Sequence, residues 1–213
     1  MEFIYLFIDS TSYITPFILV LGILLSYERK NFDATIKVLF FYCLLGLIND
    51  LLSRLSSHYM GSNLMFINTY NLIELVCLYW IIKLNSTHIT KLYHYIFAIF
   101  ILYNAYEFWV IDFKDFNQYQ SYSKSVNSIF LLIISLIHIT KDLKTDKEFY
   151  LSKLFTFLII YLTFNAFINL PINYLVNYDN IIIFIIWFLK MLNINIFYTF
   201  IVYHLWKNGK TQP

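Results

Sequence analysis

Apolar residues run along this chain in long unbroken stretches separated by short polar connectors, without the alternating rhythm of a half-buried strand. Seven stretches are near 20 residues long, at 4–27, 35–57, 64–84, 91–111, 122–140, 150–173 and 181–206. A helix rises 1.5 Å per residue, so about 20 apolar residues cross the roughly 30 Å hydrocarbon core of a bilayer. The pattern predicts an all-α polytopic membrane protein, a bundle of seven transmembrane helices in one domain over 1–213. The first stretch is the most diluted. Asp9, Ser10, Thr11 and Ser12 lie near its start and Pro16 sits inside it, so a kink is expected there. Connectors such as Tyr27-Glu28-Arg29-Lys30-Asn31 and Lys141 to Lys147 are too short to hold a soluble domain.

Composition agrees with lipid as the solvent. Charged residues make up 13% and hydrophobic residues 60%, against about 25% charged in ordinary soluble domains. The long continuous apolar runs, with only 4 Gly and 3 Pro, argue against a transmembrane β-barrel. Cys43 and Cys77 both fall inside apolar stretches and read as buried thiols, not a disulfide. Met1-Glu2-Phe3 lacks the basic start of a cleavable signal peptide, so none is expected.

Lys and Arg beside the stretch ends predict the orientation. One side carries eleven of them: Arg29, Lys30, Lys37, Lys83, Lys91, Lys141, Lys144, Lys147, Lys153, Lys207 and Lys210. The other carries three, Arg54, Lys114 and Lys124, while Lys190 lies within a stretch. Positive residues stay inside, so the N-terminus is expected outside and the C-terminus in the cytoplasm of a cell with a bacterial inner membrane. Tyr27, Trp80, Trp109, Tyr122, Tyr178 and Trp206 near the stretch ends fit an interfacial aromatic belt.

Ionisable residues within membrane helices are costly and usually face the bundle interior. Asp50 and Arg54 are four apart in the second stretch and share a helix face. Asn68, Asn71 and Glu74 recur at spacing three in the third, and Asn104 and Glu107 do so in the fourth. Lys124 and Asn127 open the fifth stretch. Asn165, Asn169 and Asn173 stripe the sixth beside Pro171, and Lys190 and Asn193 mark the seventh. Counted from the outer ends, Asp50 lies about 10 Å deep, Glu74 and Lys190 about 13–15 Å, and Glu107 about 6 Å. The inner half is mostly Leu, Ile, Phe and Tyr, with His138 the main exception.

Two readings fit this pattern. The groups can form a self-paired packing network, at roughly 0.6 kcal/mol per hydrogen bond in a membrane, with Asp50, Glu74 and Glu107 balancing Arg54, Lys124 and Lys190. They can also line an outward-facing site for a small polar ligand. The asymmetry of depth favours the second, because packing alone has no reason to avoid the cytoplasmic half. The candidate ligand-binding residues are Asp50, Arg54, Asn71, Glu74, Glu107, Asn169, Lys190 and Asn193.

No GxSxG, HExxH, CxxC or P-loop pattern occurs. His58, His88, His94, His138 and His204 are spread over both sides, so no metal, cofactor or catalytic set is expected. The basic residues sit in short loops, which argues against nucleic acid and leaves membrane lipid as the expected surroundings. The mixed-charge connector from Lys141 to Lys153 reads as a solvated loop.

The runs Leu47-Ile48-Asn49-Asp50-Leu51-Leu52-Ser53 and Asn68-Thr69-Tyr70-Asn71-Leu72-Ile73-Glu74, with Asn117-Gln118-Tyr119 and Lys190-Met191-Leu192-Asn193, resemble a group of small uncharacterised seven-helix membrane proteins of Bacteroidota. Those proteins are often encoded near sensor histidine kinases. The resemblance implies a membrane location and a signalling context, with a cytoplasmic or membrane partner such as a sensor kinase. Lys190 in the last stretch and Glu74 in the third look superficially similar to the Schiff-base lysine and counterion of microbial rhodopsins. However, the run from Thr163 to Pro171 lacks that family's tryptophan, and no arginine precedes Glu74 in its stretch. Ile48-Asn49 matches Ile168-Asn169, and Asn71 matches Asn193, as in a parallel 3+1+3 repeat. That arrangement is similar to SWEET sugar transporters and related vitamin transporters, without the SWEET proline pattern. It implies a small solute transporter as the alternative to a sensor.

Overall fold

The structure is a computed structural model, described here for residues 13–27, 33–86, 89–110, 122–142, 150–175 and 181–208. Within these residues every regular element is a helix: α1 (Ile14–Tyr27), α2 (Ala34–Met60), α3 (Leu64–Asn85), α4 (Lys91–Val110), α5 (Ser123–Asp142), α6 (Tyr150–Leu175) and α7 (Ile181–Asn208). Each helix falls on one predicted stretch, with shared boundaries within three residues. The early part of the first stretch, with Asp9, Ser10, Thr11 and Ser12, lies outside the described residues. So do Met1 to Phe3, the connector residues Glu28 to Asn31, His88, Lys114, Asn117 to Tyr119, Lys144, Lys147, Tyr178 and Lys210.

Five of the helices, α2, α3, α5, α6 and α7, are long and apolar enough to cross a membrane. This is the build of a multi-pass membrane protein. Among the described residues α1 is a shorter apolar helix. In α4, Tyr93, His94, Tyr95, Asn104 and Glu107 dilute the hydropathy of an otherwise spanning length. The surface supports lipid contact: Phe17 is 74% exposed and Phe167 73%, positions that water would disfavour.

Local chemistry sets the helix ends. Asp33 caps α2, its carboxylate accepting from the Thr35 and Ile36 backbone N–H groups at 2.7 and 3.4 Å. Gly61 ends α2 at φ +71°, the left-handed conformation that glycine adopts without a Cβ penalty. The Ser56 hydroxyl donates to the Ser62 carbonyl at 2.6 Å, and the short turn reverses the chain into α3.

Six helices close a ring in the order α1, α2, α3, α5, α6, α7 and back to α1. α4 stands outside it, packed mainly on α3 and α5 among the described residues. Lipid supplies no hydrophobic drive between helices, so close packing and hydrogen bonds hold such a bundle together. α4 shows this plainly. Its buried residues are Asn104 and Glu107, while Trp109 is 89% exposed. Asn104 and Asn127 exchange side-chain amide hydrogen bonds at 3.0 Å in both directions, and Tyr79 of α3 stacks on Phe97 at 3.9 Å.

The ring interior is divided along its length. Towards the α3–α4 end lies an apolar plug that includes Leu39, Leu78, Ile82, Leu158 and Ile201, each at most 2% exposed. Towards the α2–α3 end the interior carries the ionisable and amide groups. Two glycines bring helices close: a Cβ on Gly22 of α1 would stand 2.8 Å from Cys43 Sγ of α2, and one on Gly46 would meet the Tyr198 hydroxyl at 3.2 Å.

Gly22→Ala should therefore overpack the α1–α2 contact and destabilise the fold by about 1–3 kcal/mol. Adding Cys43→Ala should recover most of that loss. Unfolding midpoints of the single and double variants in detergent provide the check, and equal midpoints for the two would contradict the close approach.

Candidate functional site

Glu74 sits near the midpoint of α3, ten residues from its start and eleven from its end. Its carboxylate is 4% exposed. A bare charge there would cost several kcal/mol, so its partners decide whether the helix can pack. Oε1 accepts a hydrogen bond from the Tyr161 hydroxyl of α6. Oε2 lies 3.6 Å from Nζ of Lys124, which is itself 5% exposed and belongs to the first turn of α5. Tyr161 is held in place by stacking on Phe197 of α7, with ring centroids 4.0 Å apart. One carboxylate thus ties α3, α5 and α6 together.

Beside this junction the ring encloses a cavity of about 220 Å³. Side chains from α1, α2, α3, α5 and α7 line it. Asn49, Asp50, Ser53 and Arg54 form one wall, Tyr70 and Lys124 a second, and Trp187, Lys190 and Met191 a third. Arg54 Nε donates to Asp50 Oδ2 at 2.8 Å, and these two side chains keep 31% and 25% of their surface accessible. The Arg54 guanidinium also lies 4.8 Å from the Tyr13 ring centroid. Lys190 is 7% exposed, and its Nζ lies 4.5 Å from the Trp187 ring centroid. Among the described residues it has no ion-pair or hydrogen-bond partner. At the other end of the cavity, Tyr70 and Tyr198 join hydroxyls, and Tyr70 also bonds Tyr42 at 3.0 Å.

Asp50, Arg54 and Lys190 of the candidate set line this cavity together. Glu74 stands behind Lys124, and Asn71 accompanies it in a narrow side crevice with Asn127 and Ser128. The remaining three candidates line neither space. Glu107 accepts from the Tyr122 and Ser123 backbone N–H groups at 2.7 and 3.2 Å, capping α5 from α4. Asn169 donates to the Asn165 carbonyl at 2.6 Å. Asn193 donates to the Tyr161 carbonyl at 3.2 Å and to Asn165 Oδ1 at 3.4 Å, joining α7 to α6.

Lys124, Asn49, Tyr70, Trp187 and Tyr198 join the site without having been among the candidates. Lys124 carried the one usable signal, a cation opening a membrane stretch three residues before an asparagine. The aromatic residues carried none, since 21% of the chain is aromatic. Among the described residues no group of His, Cys, Asp and Glu could hold a metal ion.

Comparison of the chain with protein-family models, curated proteins and solved structures finds no match.

The Glu74–Lys124 contact yields a stability test. Glu74→Gln leaves Lys124 buried without its counter-charge and should destabilise the bundle by about 3–5 kcal/mol. The double variant Glu74→Gln/Lys124→Met removes both charges and should recover most of the loss. Unfolding of the three proteins in one detergent measures it; additive losses would mean that the two groups do not interact.

Proposed function

We propose that this chain spans the bacterial inner membrane seven times, N-terminus outside, and senses a small polar ligand in the cavity. The observation that supports this reading is a cationic, partly accessible chamber within the ring, backed by a mostly apolar plug. Eleven basic residues against three favour a plug on the cytoplasmic side and a chamber towards the outside. A ligand would compete with Asp50 for Arg54 and with Glu74 for Lys124. Because Glu74 joins three helices, a change in its pairing moves their packing, and that shift is the signal passed to a cytoplasmic or membrane partner such as a sensor kinase.

A second reading, a small solute transporter, is favoured by one specific observation. With α4 outside the ring, α1–α2–α3 and α5–α6–α7 are two consecutive triplets, and they pack together mainly through α3–α5 and α7–α1. A parallel 3+1+3 repeat has this layout. A carrier needs the plug to open; a sensor does not.

Thiol labelling separates the two. The native Cys43 and Cys77 are 1% and 7% exposed and give a low background. Ser53→Cys should react with a membrane-impermeant thiol reagent added outside intact cells, and Leu78→Cys in the plug should resist it from both faces. Reaction of Leu78→Cys in inside-out vesicles would favour the carrier. Labelling of Ser53→Cys from the cytoplasmic face alone would reverse the orientation, and no labelling from either face would end the chamber reading.

A further inference from the structure

The charges around the cavity do not balance. Arg54, Lys124 and Lys190 line it, and Asp50 is the one carboxylate in the wall. Glu74 adds a second from behind Lys124. Arg54 is matched by Asp50 at 2.8 Å and Lys124 by Glu74 at 3.6 Å. Lys190 is left over. It is 7% exposed and lines the chamber with its Nζ 4.5 Å from the Trp187 ring centroid and no ion-pair or hydrogen-bond partner among the described residues. An ammonium group in a membrane interior is met by a counter-charge or by water, or it gives up its proton. With Lys190 protonated, the described site is one negative charge short.

The rest of the lining says what could carry that charge. The cavity holds about 220 Å³, room for roughly seven waters at 30 Å³ each, and far more than a single halide needs. Around Lys190 the wall is Trp187, Met191 and Ile194, with Ile67 and Leu19 contributing from α3 and α1. These side chains offer an apolar and aromatic surface beside a cation. Thr15, Ser53 and Asn49 line the same cavity from α1 and α2. We propose that the chamber binds a small organic monocarboxylate, its carboxylate between Lys190 and Lys124 and its apolar body against Trp187 and Met191. This rests on the chamber reading above and narrows its ligand to one chemical class.

The charge count predicts how the ligand-free protein behaves. Lys190→Met removes an uncompensated charge while keeping similar bulk, so the empty protein should be at least as stable as the parent. If a carboxylate elsewhere in the chain already neutralised Lys190, the same change would break a buried pair and lower stability.

The experiment uses the full chain in nanodiscs. Benzoate, acetate, chloride and the neutral benzyl alcohol are titrated, and the unfolding midpoint and tryptophan fluorescence are followed. Saturable stabilisation by benzoate, weaker binding of acetate, and no competition from chloride are expected. Lys190→Met should weaken benzoate binding by about thirtyfold or more, with its own midpoint unchanged or raised, and Lys190→Arg should retain part of the affinity. A lowered midpoint of ligand-free Lys190→Met, equal benzoate binding by that variant, or benzyl alcohol binding as well as benzoate would each overturn the carboxylate proposal. So would chloride displacing benzoate at equal concentration. If Ser53→Cys is labelled from outside and no carboxylate binds, the ligand class fails while the chamber stands. If Ser53→Cys is inaccessible, the chamber itself fails.

Discussion

A carboxylate at the midpoint of a membrane helix cannot be left to itself, and the arrangement of this bundle follows from how Glu74 is met. The side chain is almost fully buried, so the carboxylate needs a hydrogen-bond donor and a counter-charge from other helices. Tyr161 supplies the first and Lys124 the second. Both demands act over a few ångströms, so α5 and α6 must stand where they can reach it. α5 meets this by opening beside the middle of α3, which brings Lys124 in its first turn to the carboxylate. The exposed N–H groups of that first turn are in turn accepted by Glu107 from α4. Thus α4, though peripheral, contributes indirectly to the central pair.

The same logic accounts for the two-part interior. Where the chain supplies ionisable groups, the helices cannot seal tightly, because each charged head needs partners and space for them. Where it supplies Leu, Ile, Phe and Tyr, side chains interlock and bury one another. The Gly22 contact with Cys43 and the ring stacking of Tyr79 on Phe97 belong to this second regime. A chamber on one side and a plug on the other are therefore two outcomes of one rule about desolvation, applied to two compositions along the same helices.

Much of this was legible in the sequence. The helices were, because a run of some twenty apolar residues has few other structures open to it in lipid. The convergence of Asp50, Arg54 and Lys190 was too, because helix periodicity and depth together point side chains to one region. What could not be read was which polar groups face the axis. Glu107 shares the spacing and burial of a site residue, and only its position against the start of α5 shows that it caps a helix. Asn193 likewise spends its amide on the α6–α7 contact, and Asn169 spends its own on the Asn165 carbonyl within α6. Lys124 reads from the sequence as a base of the polar network but not as a site residue, because at a stretch boundary a lysine ordinarily marks an interface. The eviction of α4 from the ring also has no one-dimensional signature, beyond its weaker hydropathy.

The linked hydroxyls of Tyr42, Tyr70 and Tyr198 have a directional consequence. Each phenol owns one proton. Either hydroxyl of each bonded pair can be the donor, so the row holds two opposite polarities that interconvert when the three O–H bonds turn together. Tyr70 and Tyr198 line the chamber, so the polarity of the row can respond to what occupies it, and one Phe replacement at Tyr70 would cut the row in two without removing a single charge.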